Sequence, residues 1–306
     1  MKNHQLRQRT ADDIDEQIDK MIRGLGNPEP PLRIEDVREL LRLDTTFYTT
    51  TDASIFREMI SRAYIGAQQV FARPTLLYDA LAKFNLRALW IPDRRRILID
   101  SALPPIKHRW AEAHEVSHSV LPWHDVALFG DTKQTLAPHC HEHLEGEANY
   151  GAGRLLFLGR RFAAEAADFA FTMDTVRVLS QKYGNTITST LWRFIEQLGT
   201  AKPLVGLVSR HPARPTEPNQ EPCRYFIRSD AFTQQFPTIT EEQLLTAIAS
   251  YCANRRHGDL GSGELVMFDA QGERHLFSFE TFYNGYDALT LGVYLRPAKT
   301  LYAAAS

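Results

Sequence analysis

The sequence predicts an α+β protein: a mostly helical domain with a small β-sheet, followed by a smaller α+β domain. Three observations predict it. Apolar residues recur at helical spacing through most of residues 31 to 200. Within that stretch Arg87–Ile91 and Arg96–Asp100 flank Pro92-Asp93, a turn signal, and read as a hairpin. From about residue 203 the texture changes to short β-rich runs separated by turn residues. The expected divisions are a polar, weakly helical segment over 1–30, a helical domain over 31–200 and an α+β domain over 203–306, whose role the sequence leaves open between sensor and docking module.

Composition bounds the class. A chain of 306 residues can bury two ordinary cores. Net charge is −2 with 43% hydrophobic residues, so no overall field draws it to nucleic acid, and direct nucleic-acid binding is not indicated. Cys140, Cys223 and Cys252 are scattered and odd in number, which excludes a disulfide framework and fits a reducing cytoplasm. There is no apolar leader and no run of eighteen apolar residues, so neither secretion nor a membrane partner is expected.

Taken in order, Ile14, Ile18 and Met21 give the first helical pattern, and Gly26 to Pro31 breaks it. Ile34, Val37, Leu40 and Leu41 make a helix with acids in its first turn; no second, basic recognition helix accompanies it, so we read it as scaffold. Thr45–Thr50 is a short or edge strand by propensity. Residues 55–70 and 75–84 read as helices, and the hairpin over 87–100 leads into the next helix. An edge of such a sheet can hold an extended peptide by strand addition.

The sequence then reads Arg109-Trp-Ala-Glu-Ala-His-Glu-Val-Ser-His-Ser-Val-Leu121. His114 and His118 are one helical turn apart on one face, placed to grip a single zinc ion. Glu115, between them, is placed to take a proton from water held at the metal. Trp110, Ala111, Ala113, Val116, Val120 and Leu121 supply an apolar face, and Pro122 stops the helix. Two buried histidines aligned with a glutamate are better explained by a metal than by an ordinary amphipathic helix.

A catalytic zinc takes three protein ligands. Glu142, Glu145 and Glu147 precede an apolar helical run, Ala148 to Phe162. Glu145 and Glu147 cannot share a helical face, so at most one meets the metal, and Glu147 is our choice. Pro122 to His143 reads as a loop of about twenty residues, long enough to be functional or disordered. His124, His139, His141 and His143 there, and Tyr150 beyond, are candidate contacts to substrate or transition state. One of these histidines is an alternative third ligand, and Cys140 an alternative cap on the metal. Further on, Phe169–Tyr183 and Ile187–Leu198 read as helices closing the domain, and Glu241 to Ala253 as the single helix among the later strands.

With Arg109, Ala113-His-Glu-Val-Ser-His118, Glu147-Ala-Asn149 and Leu155-Leu156 in view, the middle of the chain, about 75 to 200, resembles the ImmA/IrrE-type metallo-endopeptidases. These are a gluzincin-like group with a His-Glu-x-x-His helix and a glutamate ligand on the next. The sequence departs at Gly151-Ala152, where the family often reads Phe-Ala, and at Phe157-Leu158-Gly159, where it reads Met-Pro. The resemblance implies a zincin-like metalloprotease domain with Zn(2+) on His114, His118 and Glu147, and Glu115 as general base. It further implies a hydrolase whose substrate is one regulatory protein, such as a DNA-binding repressor. The competing reading is a non-proteolytic binding protein on the same scaffold with structural zinc.

Overall fold

Ile14, Ile18, Met21 and Ile22 form the buried stripe of helix α1 (Gln8–Gly24), as their spacing requires. The computed structural model describes residue 6 and residues 8–48, 88–91, 95–103, 105–124, 138–214 and 220–298. The helices expected over 55–70 and 75–84 and the turn at Pro92-Asp93 lie outside the described residues. The fold is α+β and divides into two units, Lys2–Arg160 and Arg161–Ser306. Among the described residues, no helix is long and apolar enough to cross a membrane.

In the first unit α2 (Ile34–Leu41) buries Ile34 and Val37 and leads to a three-stranded sheet. Its strands are β1 (Asp44–Tyr48), β2 (Ala88–Ile91) and β3 (Arg96–Asp100), in the order β1-β3-β2. β3 is central: it pairs in parallel with β1 and antiparallel with β2, Trp90 opposite Ile97. Ile97, Leu98 and Ile99 are all buried, as a strand covered on both faces demands.

Helix α3 (Pro105–Val120) packs against β2 and β3. It starts on a proline, whose fixed φ suits a first helical position, and ends before Pro122. Helix α4 (Pro138–Leu156) packs on α3 and on α1. It begins well before Ala148, so the long loop expected up to His143 is shorter, and His139, His141 and His143 belong to a helix. The segment 1–30 is likewise no separate piece. Asp15 of α1 takes Nε of Arg154 at 2.6 Å and the hydroxyl of Tyr150 at 3.1 Å, both from α4.

Gly151 explains one departure from the resembled family. A Cβ there would lie 3.0 Å from Oγ of Ser117 on α3 and 3.5 Å from Cγ2 of Ile14 on α1. Glycine lets three helices meet at one point, where a phenylalanine in this packing would not fit.

The second unit is layered. Helices α5 (Arg161–Ala167), α6 (Met173–Tyr183) and α7 (Ile187–Leu198) precede β4 (Leu204–Ser209), β5 (Cys223–Arg228), α8 (Asp230–Gln235) and α9 (Glu241–Ala249). The chain then makes β6 (Gly258–Phe268), β7 (Arg274–Tyr283) and β8 (Ala288–Pro297). The five strands are antiparallel in the order β5-β4-β8-β7-β6. On one face Val205, Leu207, Phe277 and Phe279 pack with Phe232 and Phe236 of α8 and its exit and with Leu244 and Ile248 of α9. On the other, α7 lies against β4 so closely that a Cβ at Gly206 would fall onto Cδ1 of Ile195.

Two sequence expectations are corrected here. Residues 161–198, expected in the first domain, form helices that belong with the later sheet, with Met173 N–H donating to Glu280 of β7 at 2.7 Å. Among these strands the single helix expected over 241–253 is joined by a second, α8. Its opening is signalled by Ser229, whose hydroxyl accepts from Phe232 N–H.

Candidate metal centre

Helix α3 carries His114 and His118 on the face turned to α4, and α4 brings Glu145 to meet them. Nε2 of His114 lies 3.2 Å from Nε2 of His118 and 3.1 Å from Oε2 of Glu145. Nε2 of His118 is 3.5 Å from Oε1 of the same carboxylate. One ligand atom from each of these residues lies within 4.8 Å of the others. Donors about 2.0–2.1 Å from a tetrahedral zinc stand about 3.3–3.4 Å from each other. The nitrogen pair at 3.2 Å and the Glu145 carboxylate, with Oε2 3.1 Å from His114 and Oε1 3.5 Å from His118, lie near that figure, so the residues present fit a zinc ion.

The electrostatics agree with the geometry. Burial pushes His118 down to about 4, so its ring is neutral and able to ligate at neutral pH. Burial also opposes a charge on His114, yet hydrogen bonds accepted from its ring by Glu145 and Asn149 and the charges of Glu115 and Glu145 lift its pKa above the ordinary imidazole value. Glu145 is partly desolvated, but the two imidazoles hold its carboxyl far below the usual range. A fixed carboxylate facing two ring nitrogens attracts a proton or a metal cation to their midst. Glu115 follows His114 directly and is 5% exposed.

The third ligand is a correction. Glu147, expected there from the sequence, does not meet the two histidines; the structure places Glu145 at them and Glu147 elsewhere. Glu145 and Asn149 are four residues apart and share the face of α4 turned to His114. Glu147 falls on another face. Its Oε2 accepts from Nε1 of Trp123 at 2.6 Å and from Nε2 of His124 at 2.9 Å. Burial would raise its pKa, but those two donors hold it below the usual carboxylate range.

The other candidates separate. His124 is fully buried, with Nδ1 2.8 Å from Nδ1 of His118. His143 is exposed on α4. The hydroxyl of Tyr150 donates to Asp15, a bond that ties α4 to α1. The side chains of His139, Cys140 and His141 lie outside the described residues. Sequence reasoning missed Glu145, Asn149 and Trp123 as parts of the site; the i,i+4 relation of Glu145 to Asn149 was the available signal.

No family model matches this chain, and no characterised protein matches it in sequence. A solved structure described as a Mycobacterium tuberculosis transcriptional regulator is similar to it, aligning over 92% of this chain and 88% of that one with a TM-score of 0.52. Identity is 14%, so the likeness is one of fold.

Proposed function

We propose that the protein is a zinc-dependent endopeptidase that hydrolyses a peptide bond in a specific regulatory protein, such as a DNA-binding repressor. The observation that carries this reading is the convergence of His114, His118 and Glu145 on one point with Glu115 beside it. Zinc bound there would polarise a carbonyl and acidify a water molecule. Glu115 accepts the proton of the attacking water and delivers it to the leaving amine. His114 and His118 would present ring nitrogens to the metal, and Glu145 the negative charge. Among the described strands β2 lies at an edge of its sheet and against α3, a place where an extended peptide can add as a strand. The substrate class is supported by the resemblance of the paired motifs to the ImmA/IrrE-type peptidases. Free thiols at Cys223 and Cys252 suit a reducing compartment, the cytoplasm.

The second reading is a regulatory binding protein with structural zinc, favoured by the fold shared with a protein described as a transcriptional regulator. Glu115 separates the two, since a structural site needs no base. In the test, the tag-free chain is analysed for zinc and then incubated with a whole proteome, whose new N-termini are enumerated. We expect about one zinc per chain. Glu115→Gln should keep that metal and lose cleavage by about 10²–10⁴-fold. Undiminished cleavage by the variant, or no zinc after zinc is supplied, would overturn the peptidase reading.

A further inference from the structure

One end of the five-stranded sheet gathers arginines around an exposed tyrosine. Across that end β5 begins with Arg224 next to Cys223, β4 runs out into Arg210, the turn between β7 and β8 carries Tyr286, and β6 is preceded by Arg255 and Arg256. Four inter-strand spacings of about 4.8 Å make the end about 19 Å wide. We propose that it is a binding surface for single-stranded nucleic acid, with the arginines holding phosphates and Tyr286 stacking on a base. Every residue involved belongs to the unit Arg161–Ser306, so the surface does not depend on the metal centre.

These residues are contiguous. Arg214 crosses the sheet end: its Nε donates to Oδ1 of Asn254 at 2.8 Å, its Nη2 donates to the carbonyl of Arg255 at 2.8 Å, and its guanidinium lies 5.5 Å from the ring centre of Tyr283. Arg255 in turn donates from Nη1 to the carbonyl of Asp259 at 3.2 Å. Those acceptors are neutral, so they fix the guanidinium groups without cancelling their charge. A Cβ at Gly285 would stand 3.8 Å from Cδ2 of His257, which puts the β7–β8 turn beside the Arg255-Arg256 segment. On the other side of that turn Asp287 meets Arg224 at 3.4 Å. Arg210 and Arg214 line one cleft with Pro212 and Pro222.

Charge and residue type narrow the partner. Among the described residues, no carboxylate pairs with Arg210, Arg214, Arg255 or Arg256. With Asp287 on Arg224 and Glu221 and Asp259 exposed nearby, the described residues of this end set five arginines against three carboxylates. All five cations are arginine, whose planar fork takes phosphate through two hydrogen bonds. In a chain of net charge −2, such a gathering attracts a polyanion to one place and not to the surface at large.

Tyr286 separates a nucleic acid from an acidic peptide. It is 83% exposed, more than any other large apolar side chain among the described residues. Its backbone is nonetheless fixed, since Oδ1 of Asn284 accepts from the N–H groups of Tyr286 and Asp287 at 2.8 Å each. A ring held in water on a rigid turn, with arginines to both sides, offers its face to an unpaired base, and such stacking tolerates any base because each has a π-face. A duplex hides those faces, so the ring favours the single strand.

The test titrates the full chain into a fluorescein-labelled oligothymidine of about fifteen nucleotides and reads anisotropy. The same oligothymidine in a duplex and a labelled poly-glutamate of matched charge serve as comparators. The single strand should bind more tightly than either. With four arginines releasing counterions, its affinity should fall about 50-fold between about 50 mM and about 200 mM salt. Arg255→Ser combined with Arg256→Ser should weaken binding and about halve the slope of log affinity against log salt. Tyr286→Ala should weaken binding about 5–100-fold with the slope unchanged, and Tyr286→Phe, which keeps the ring, should bind as wild type does.

No binding of the single strand at about 50 mM salt overturns the proposal. Equal affinity for poly-glutamate reduces the surface to a general polyanion patch, and a preference for the duplex removes the role of the ring; either result rejects it. So does undiminished affinity in the double arginine variant or in Tyr286→Ala, which places the nucleic acid elsewhere. All three altered positions are exposed, and the wild-type comparisons decide without any variant.

Discussion

Glu145 and Glu147 are chemically identical and two residues apart, yet the fold gives them separate partners. Glu145 faces two ring nitrogens that can share a metal, whereas Glu147 is held by Trp123 and His124. Removing the first deletes a donor; removing the second deletes an orienting contact. We therefore expect Glu145→Ala to fall well below one zinc per chain by elemental analysis, while Glu147→Ala retains about one equivalent with affinity lowered about 10–100-fold. Equal zinc loss in both variants would reject the assignment. His114 and His118 were legible in the sequence because a spacing of four residues fixes a common helical face, and Glu115 because it lies between them. The choice of glutamate was not, since it depends on how α4 is rotated against α3.

That rotation is set at the scale of the element. Gly151 brings α4 against Ser117 of α3 and Ile14 of α1, so added volume there must separate the helices that carry the site. Gly151→Val should cost about 1–3 kcal/mol by denaturant unfolding and weaken zinc binding without touching a ligand; unchanged affinity would show that the site tolerates the shift. In the second unit Glu165 ties α5 to α6. Its carboxylate meets Arg161 Nε at 2.7 Å, Lys182 Nζ at 2.7 Å and the hydroxyl of Tyr183 at 2.9 Å. Burial opposes the charge, but these partners bring the pKa from 4.5 down to about 2. A depressed carboxylate stabilises the fold above its unfolded pKa and stops doing so as pH falls through the folded value. Glu165→Gln should thus cost about 1–2 kcal/mol at pH 7, after allowance for solvent screening. The gap from wild type should close between about pH 4.5 and pH 2, and a gap that persists at pH 2 would exclude the charge as its cause.

At the scale of the whole molecule, the boundary between units falls at Arg160/Arg161 rather than near residue 200. β4 is buried at every position because α8 and α9 cover one face of its sheet and α7 the other. A fragment spanning 161–306 should fold cooperatively by circular dichroism and thermal melting, and one spanning 203–306 should expose the strand face that α7 covers and aggregate. A soluble, cooperative 203–306 fragment would argue against this boundary. Legible in the sequence were the α+β class, the segments of β1 to β3, the change to β-rich runs after residue 203 and the placing of two histidines and a glutamate along one helix. Those features follow from periods of two and 3.6 residues, which are local. That Glu145 rather than Glu147 meets the histidines, that His124 reaches His118, and that α5 to α7 belong to the later sheet was not legible there. Each of these depends on how separate elements dock, and docking is governed by contacts between residues far apart in the chain, such as Gly151 with Ile14 and Gly206 with Ile195.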